Sequence, residues 1–222
     1  MKTTDKSLQN GAATDSAHKV NGNLSPVTAR GEATRRKILD AAEEVFGEMG
    51  YYEGSVSEIT RRAGVAQGTF YLYFHTKKDI FAELVMDIGK RLRADSSAAI
   101  ANAPDRLTAE KEGFKAFFAF VKRHRNVYNI VQEAERVAPE AAKEYYQRFS
   151  EGYQRGLQIA IDQGEFRRLD TETVGYALMG MAHFLALRWI LWPWQGNESS
   201  ALEVPESVLH EIMAFLRHGL IP

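Results

Sequence analysis

Residues 55–78, SVSEITRRAGVAQGTFYLYFHTKK, carry the most specific pattern in the chain. Ser55 or Ser57 can cap a helix whose first turn holds Glu58, where negative charge suits the helix dipole, and Val56, Ile59 and Ala63 give that helix an inward face. Gly64-Val65 makes a tight turn backed by an apolar residue, and Gln67 to Phe74 resumes helical spacing, with Phe70 and Phe74 one turn apart. Two short helices joined at a glycine form a helix-turn-helix, whose second member lays its exposed side chains in the major groove of DNA. The expected exposed set is Gln67, Gly68, Thr69, Tyr71, Tyr73 and His75. Gln67 can donate and accept at a base edge, Thr69 can meet a thymine methyl or a phosphate, and the tyrosine hydroxyls can reach phosphate oxygens.

The charge pattern is local. The 222-residue chain holds 28 Lys and Arg against 29 Asp and Glu, so its overall field does not mark a nucleic-acid binder. Between Ser57 and Lys78, Arg61, Arg62, Lys77 and Lys78 stand against Glu58 alone, a local +3 where phosphates would lie. The bland alternative is an aromatic core stripe beside a solvated basic face. It accounts for Phe70 and Phe74 but not for Tyr71 and Tyr73, which fall on other faces of the same helix.

Upstream, from about Thr34, Ile38, Ala41, Ala42, Val45, Phe46 and Met49 repeat at helical spacing, and Gly50 supplies a left-handed stop. With that helix in place, ILDAAEEVFGEMGYYEGSVSEITRRAGVAQGTFYLYFHTKKDIF resembles the DNA-binding domain of TetR-family regulators. The glycine turn, the Gly-Thr pair, the aromatic ladder and the closing lysine carry the likeness. The resemblance implies that Ser55 caps the second helix at a phosphate and that Gln67, Gly68 and Thr69 face bases. It also implies that Tyr71 and Tyr73 clamp the backbone and that Lys77 anchors the next helix to phosphate. Thr60 stands where the family usually has alanine, a change that a small β-branched residue should absorb.

Residues 1–29, rich in Ser, Thr, Asn, Gly and Ala, predict a disordered arm, because they hold too little apolar surface to offset the entropy of ordering. Residues 30–77 predict a three-helix DNA-binding head, and 78–222 a larger helical body for effector binding and dimerisation. Helices are expected over about 78–98, 108–124, 126–137, 139–163, 171–192 and 205–217, with no convincing strand. The expected fold class is all-α.

Tyr176 to Trp194, YALMGMAHFLALRWILWPW, is apolar for nearly the length of a membrane span, but His183 and Arg188 lie inside it and no second such segment exists, so a buried helix is expected and no membrane partner. In the resembled family the last two helices form a four-helix dimer interface. Here one face of 174–192 and the face of Val208, Leu209, Ile212, Met213 and Leu216 would supply it. A homodimer matches a palindromic operator, with two heads about one DNA turn apart.

The body is rich in aromatic residues. Most are expected in its core, but some can line a pocket for a small apolar or aromatic effector, an acyl thioester among them. The candidate lining is Phe117, Phe120, His124, Tyr128, Tyr153, His183, Arg188 and Trp189, with Arg136 as a further polar group. No HExxH, P-loop, dinucleotide loop, GxSxG or acidic metal cluster occurs, so no catalytic residue, metal or cofactor is expected. The absence of cysteine and of an apolar leader points to the cytoplasm. The expectation is a ligand-responsive repressor on double-stranded operator DNA.

Overall fold

The computed structural model describes residues 29–192 and 204–221. The expected N-terminal arm lies outside the described residues, except for Ala29. The described residues form α1 Ala29–Glu53, α2 Val56–Ala63, α3 Gln67–Tyr73, α4 Lys77–Ile100, α5 Arg106–Arg123, α6 Arg125–Val137, α7 Pro139–Asp162, α8 Thr171–Ala186 and α9 Glu206–Leu220. The chain is all-helical there, as its periodicity predicts.

Helix α1 starts five residues before the expected Thr34 and buries Ile38, Leu39, Ala41, Ala42, Val45 and Phe46 on one face. Gly50 interrupts it at φ 76°, ψ 171°, a conformation in which a side chain is strained, and one further turn follows through Glu53. Gly54 then lies so close to α1 that a Cβ there would stand 2.9 Å from the Phe46 ring and 3.0 Å from the Gly50 carbonyl oxygen. Helix α4 opens on a capping box in which Thr76 and Asp79 each accept the other's backbone N–H.

Two apolar cores result. One runs without a break from the head into the body, joining Phe46, Ile59, Phe70, Phe74 and Phe81 to Phe120, Ile130, Val131 and Tyr145. The other gathers α5, α7, α8 and α9 around Phe114, Leu157, Leu178, Ile190, Leu209 and Leu216.

Thr171–Leu191 is long and apolar enough to cross a membrane by length and composition, but it belongs to this second core through Leu178, Ala182, Ala186 and Ile190. Only one face is buried in this chain, because Tyr176 and Phe184 remain exposed. Its last turn, Leu187–Leu191, widens to a π-helix closed by Trp192 N–H on the Leu187 carbonyl at 2.8 Å. Helix α9 corrects the expected interface face: Leu209, Ile212 and Leu216 pack inward against the chain's own core, and Phe215 is the large apolar side chain left outside.

Candidate nucleic-acid interface and ligand cavity

The head places α3 by burying one side of it. Phe70 and Phe74 have no exposed surface and their rings pack 5.6 Å apart, while Arg35 of α1 lies 5.2 Å over the Phe74 ring. The preceding turn is fixed by Gly64 in the left-handed region at φ 65°, ψ 37°, with Val65 N–H on the Thr60 carbonyl at 3.1 Å. Ser55, rather than Ser57, caps α2: its hydroxyl accepts Glu58 N–H at 3.1 Å. Thr60 is buried with its hydroxyl satisfied on the Ser57 carbonyl at 3.0 Å, so the departure from alanine leaves no unpaired group.

With that side fixed, Gln67, Gly68, Tyr71 and His75 are exposed, as is Ser55 at the start of α2, and Thr69 and Tyr73 are half-buried. Leu72, to which the sequence assigns no role, is 60% exposed beside Tyr71 at 49%. No hydrophobic periodicity identifies it, because leucine at that spacing reads as core.

Lys77 departs from the expected phosphate anchor. Its ammonium donates to the carbonyls of Tyr51 at 2.9 Å, Gly54 at 2.9 Å and Tyr52 at 3.4 Å, and sits 4.4 Å from the Tyr51 ring centre. The broken end of α1 leaves carbonyls unpaired, and Lys77 closes them.

The local +3 is likewise reduced. Arg61 and Arg62 both bond Glu58, and Arg62 also reaches Glu48 at 2.7 Å from α1. The two guanidiniums hold the Glu58 carboxyl far below its usual range, at about 2.

Helix α6 grips the head from below. Glu133 accepts Tyr51 N–H at 2.9 Å, where Gly50 breaks α1, and Asn126 lies 3.1 Å from where a Cβ of Gly47 would be. Helix α4 is tied to α1 by ion pairs Arg35–Glu83, Arg36–Asp87 and Arg91–Glu43. Two body helices therefore hold the head.

A cavity of about 210 Å³ opens between α4, α5, α7 and α8. By the same measure a single water needs roughly 10–15 Å³. Four of the expected residues line it: Phe117, Tyr128, Tyr153 and His183. The other four do not. Phe120 is buried in the head-side core against the His124 ring, and Arg188 stacks on Trp189 at 4.5 Å within the π-helical turn. Arg136 is exposed on α6.

The sequence reading missed Arg93, Arg106, Glu110 and Tyr145 in the lining. The Arg106–Glu110 spacing of four on one helix was the available signal for two of them. Glu110 is buried and bonds Arg106 at 2.8 Å, and burial raises its pKa. Tyr128 places its hydroxyl 2.6 Å from His183 Nδ1. Burial pushes the tyrosine pKa up and that of the histidine down, so the pair is a phenol against a neutral ring whose tautomer sets which partner donates.

The fold and this head together define a helix-turn-helix regulator of transcription, not an enzyme. Residues 38–84 match the bacterial regulatory proteins of the tetR family. It is 27% identical over 198 residues to an uncharacterized HTH-type transcriptional regulator, YdgC, of Bacillus subtilis, covering 87% of this chain and 96% of that one. A fatty acid metabolism regulator protein of Bacillus subtilis is 54% identical, but over 48 residues, 22% of this chain and 25% of that protein. The fold is shared with FadR of Bacillus subtilis in complex with stearoyl-CoA, at TM-score 0.68 and 22% identity over 82% of this chain and 96% of that one.

Proposed function

We propose that the protein is a ligand-responsive repressor that occupies a palindromic operator as a homodimer and leaves it when a small apolar or aromatic effector enters the cavity of the body. The observation that carries the reading is α3, whose Phe70 and Phe74 are fully buried while Gln67, Gly68 and Tyr71 stand exposed on a short, fixed helix. In this reading residues 30–77 are the DNA-binding head and 78–222 the effector and dimerisation body, acting on DNA in the cytoplasm. Gln67, Gly68 and Thr69 meet bases, Tyr71, Tyr73 and His75 meet the backbone, and Ser55 meets a phosphate at the start of α2. Dimerisation uses α8 and α9, supported by the exposed Tyr176, Phe184 and Phe215.

Release requires the cavity to act on the head. Helix α4 lines the cavity and carries the ion pairs to α1, while Tyr128 and Glu133 put cavity and head contact on one helix, α6. An effector that moves either helix changes the spacing of the two heads. The likeness to fatty-acid regulators supports an acyl thioester among the effectors.

Selection of bound sequences from a random DNA pool, followed by titration of the selected duplex at several salt concentrations, tests the reading. A palindromic consensus with salt-sensitive binding, weakened by Gln67→Ala, is expected. Binding without sequence preference would sink it.

A further inference from the structure

The cavity is lined by four arginines, Arg93, Arg106, Arg148 and Arg155, and by Glu110 as its one acid. Two of these cations are already matched: Arg106 is bonded to Glu110 and Arg148 to Glu144 at 2.9 Å. Arg93 is different. It rises from α4 beside Gly89 and lines the cavity, and its buried Nη1 has no hydrogen-bond partner. A guanidinium cannot shed its proton at physiological pH, so the charge persists. Desolvation and the nearby Arg148 both disfavour that charge, with Tyr145, Glu151 and Glu144 supplying weaker opposing fields. Around it the walls are apolar and aromatic: Phe114, Phe117, Tyr145 and Phe149.

We infer that the molecule this cavity takes is an amphipathic oxyanion, its carboxylate or phosphate received by the Arg93 guanidinium and its apolar body by the aromatic walls. The inference rests on the cavity being the effector site. A neutral apolar ligand leaves the excess positive charge of the lining without a countercharge, and a cationic one meets four arginines. An oxyanion supplies the acceptor and the countercharge together, in the geometry that guanidinium groups favour.

The test measures, by calorimetry on the full chain, the binding of decanoate, decanoyl-CoA and decan-1-ol to the wild type, Arg93→Gln and Arg93→Lys. Thermal melts by circular dichroism establish that both variants fold, and Arg93→Lys keeps the charge should Arg93→Gln prove unstable. The expected result is anion binding weakened on the order of tenfold or more in Arg93→Gln, less in Arg93→Lys, with decan-1-ol binding weaker than the anions and indifferent to the variant. Loss confined to decanoate identifies a free carboxylate as the bound group, and loss confined to decanoyl-CoA identifies its phosphates; either supports the inference. If decan-1-ol binds the wild type as tightly as decanoate, or Arg93→Gln leaves anion affinity unchanged, the inference is wrong while the cavity still stands as an effector site. If no probe binds, both fail.

Discussion

Two cations lie partly buried, Lys77 in the head and Arg93 in the body, and they have opposite fates. The Lys77 ammonium meets three backbone carbonyls and the face of Tyr51. Arg93 lines the cavity with its buried Nη1 unmatched. A buried donor is costly until it is paired, so the head has paired its cation internally while the body has left one open. The closed cation ties the start of α4 to the end of α1, and the open one suits the proposed effector site.

That contrast is broken most directly at Lys77. Lys77→Ala removes charge-assisted hydrogen bonds to the end of α1, and a cost of about 2–3 kcal/mol is expected from hydrogen bonds of this type. Thermal melting should show a drop of several degrees or more. The slope of log affinity against log salt, measured where the variant is folded, should stay at the wild-type value. A normal melt with a slope reduced by about one charge would instead return Lys77 to the phosphate backbone.

At the other pole, Gly89→Ala puts a Cβ 2.6 Å from the Tyr145 ring and 3.0 Å from Arg93 Nη1. Overpacking of this kind costs about 1–3 kcal/mol, and because it displaces the cavity wall it should weaken effector binding more than operator binding. Calorimetry and DNA titration on the same preparation separate the two.

The head was far more legible in sequence than the body, for a physical reason. In α2 and α3 a single buried face is set by residues within a dozen positions of one another, so Ile59, Phe70, Phe74 and the Gly64 turn follow from spacing alone. The part of the head that spacing misread depends on partners outside the window. Glu48 of α1 pairs with Arg62, and the carbonyls of residues 51–54 receive Lys77, so a count over 57–78 overstates the free positive charge.

In the body, an aromatic residue at helical spacing can face either core or the cavity, and periodicity does not choose. Phe117 and Phe120 are three apart on α5, yet one lines the cavity and the other packs toward the head. Likewise α9 presents an apolar stripe that would suit a partner, but α5 already covers it through the second core, leaving Phe215 outside. Arg93 itself follows Lys90 and Arg91, and nothing local distinguishes it from those two cations.

Between the two poles lies Glu133, which carries the body's grip to Tyr51 N–H. Glu133→Ala leaves that amide unpaired, and a loss of about 1–2 kcal/mol is expected. If α6 transmits the effector signal, the variant should bind operator nearly normally when folded, yet need more effector for release. Full release at the wild-type concentration would leave α4 as the sole route.

The smallest effect expected is a pH dependence centred on His183. In the folded chain burial depresses its pKa below the ordinary 6.5, and Glu135 opposes this only weakly. The neutral ring pairs its Nδ1 with the Tyr128 hydroxyl at 2.6 Å, and an imidazolium would leave Nδ1 able only to donate. Below pH 6.5 the unfolded chain takes up a proton that the folded chain resists, so this group's stabilisation is complete above 6.5 and is lost as pH falls toward the lower folded value. His124, depressed first by burial and then by Arg91 and Arg123, acts in the same direction. Melting temperatures should therefore be level between pH 8 and pH 7 on this account and decline toward pH 5, with a shallower decline in His183→Gln. An equal decline in that variant would assign the whole effect to His124 and the acidic surface. The Tyr128–His183 bond would then be a structural contact of the cavity wall rather than a proton-linked one.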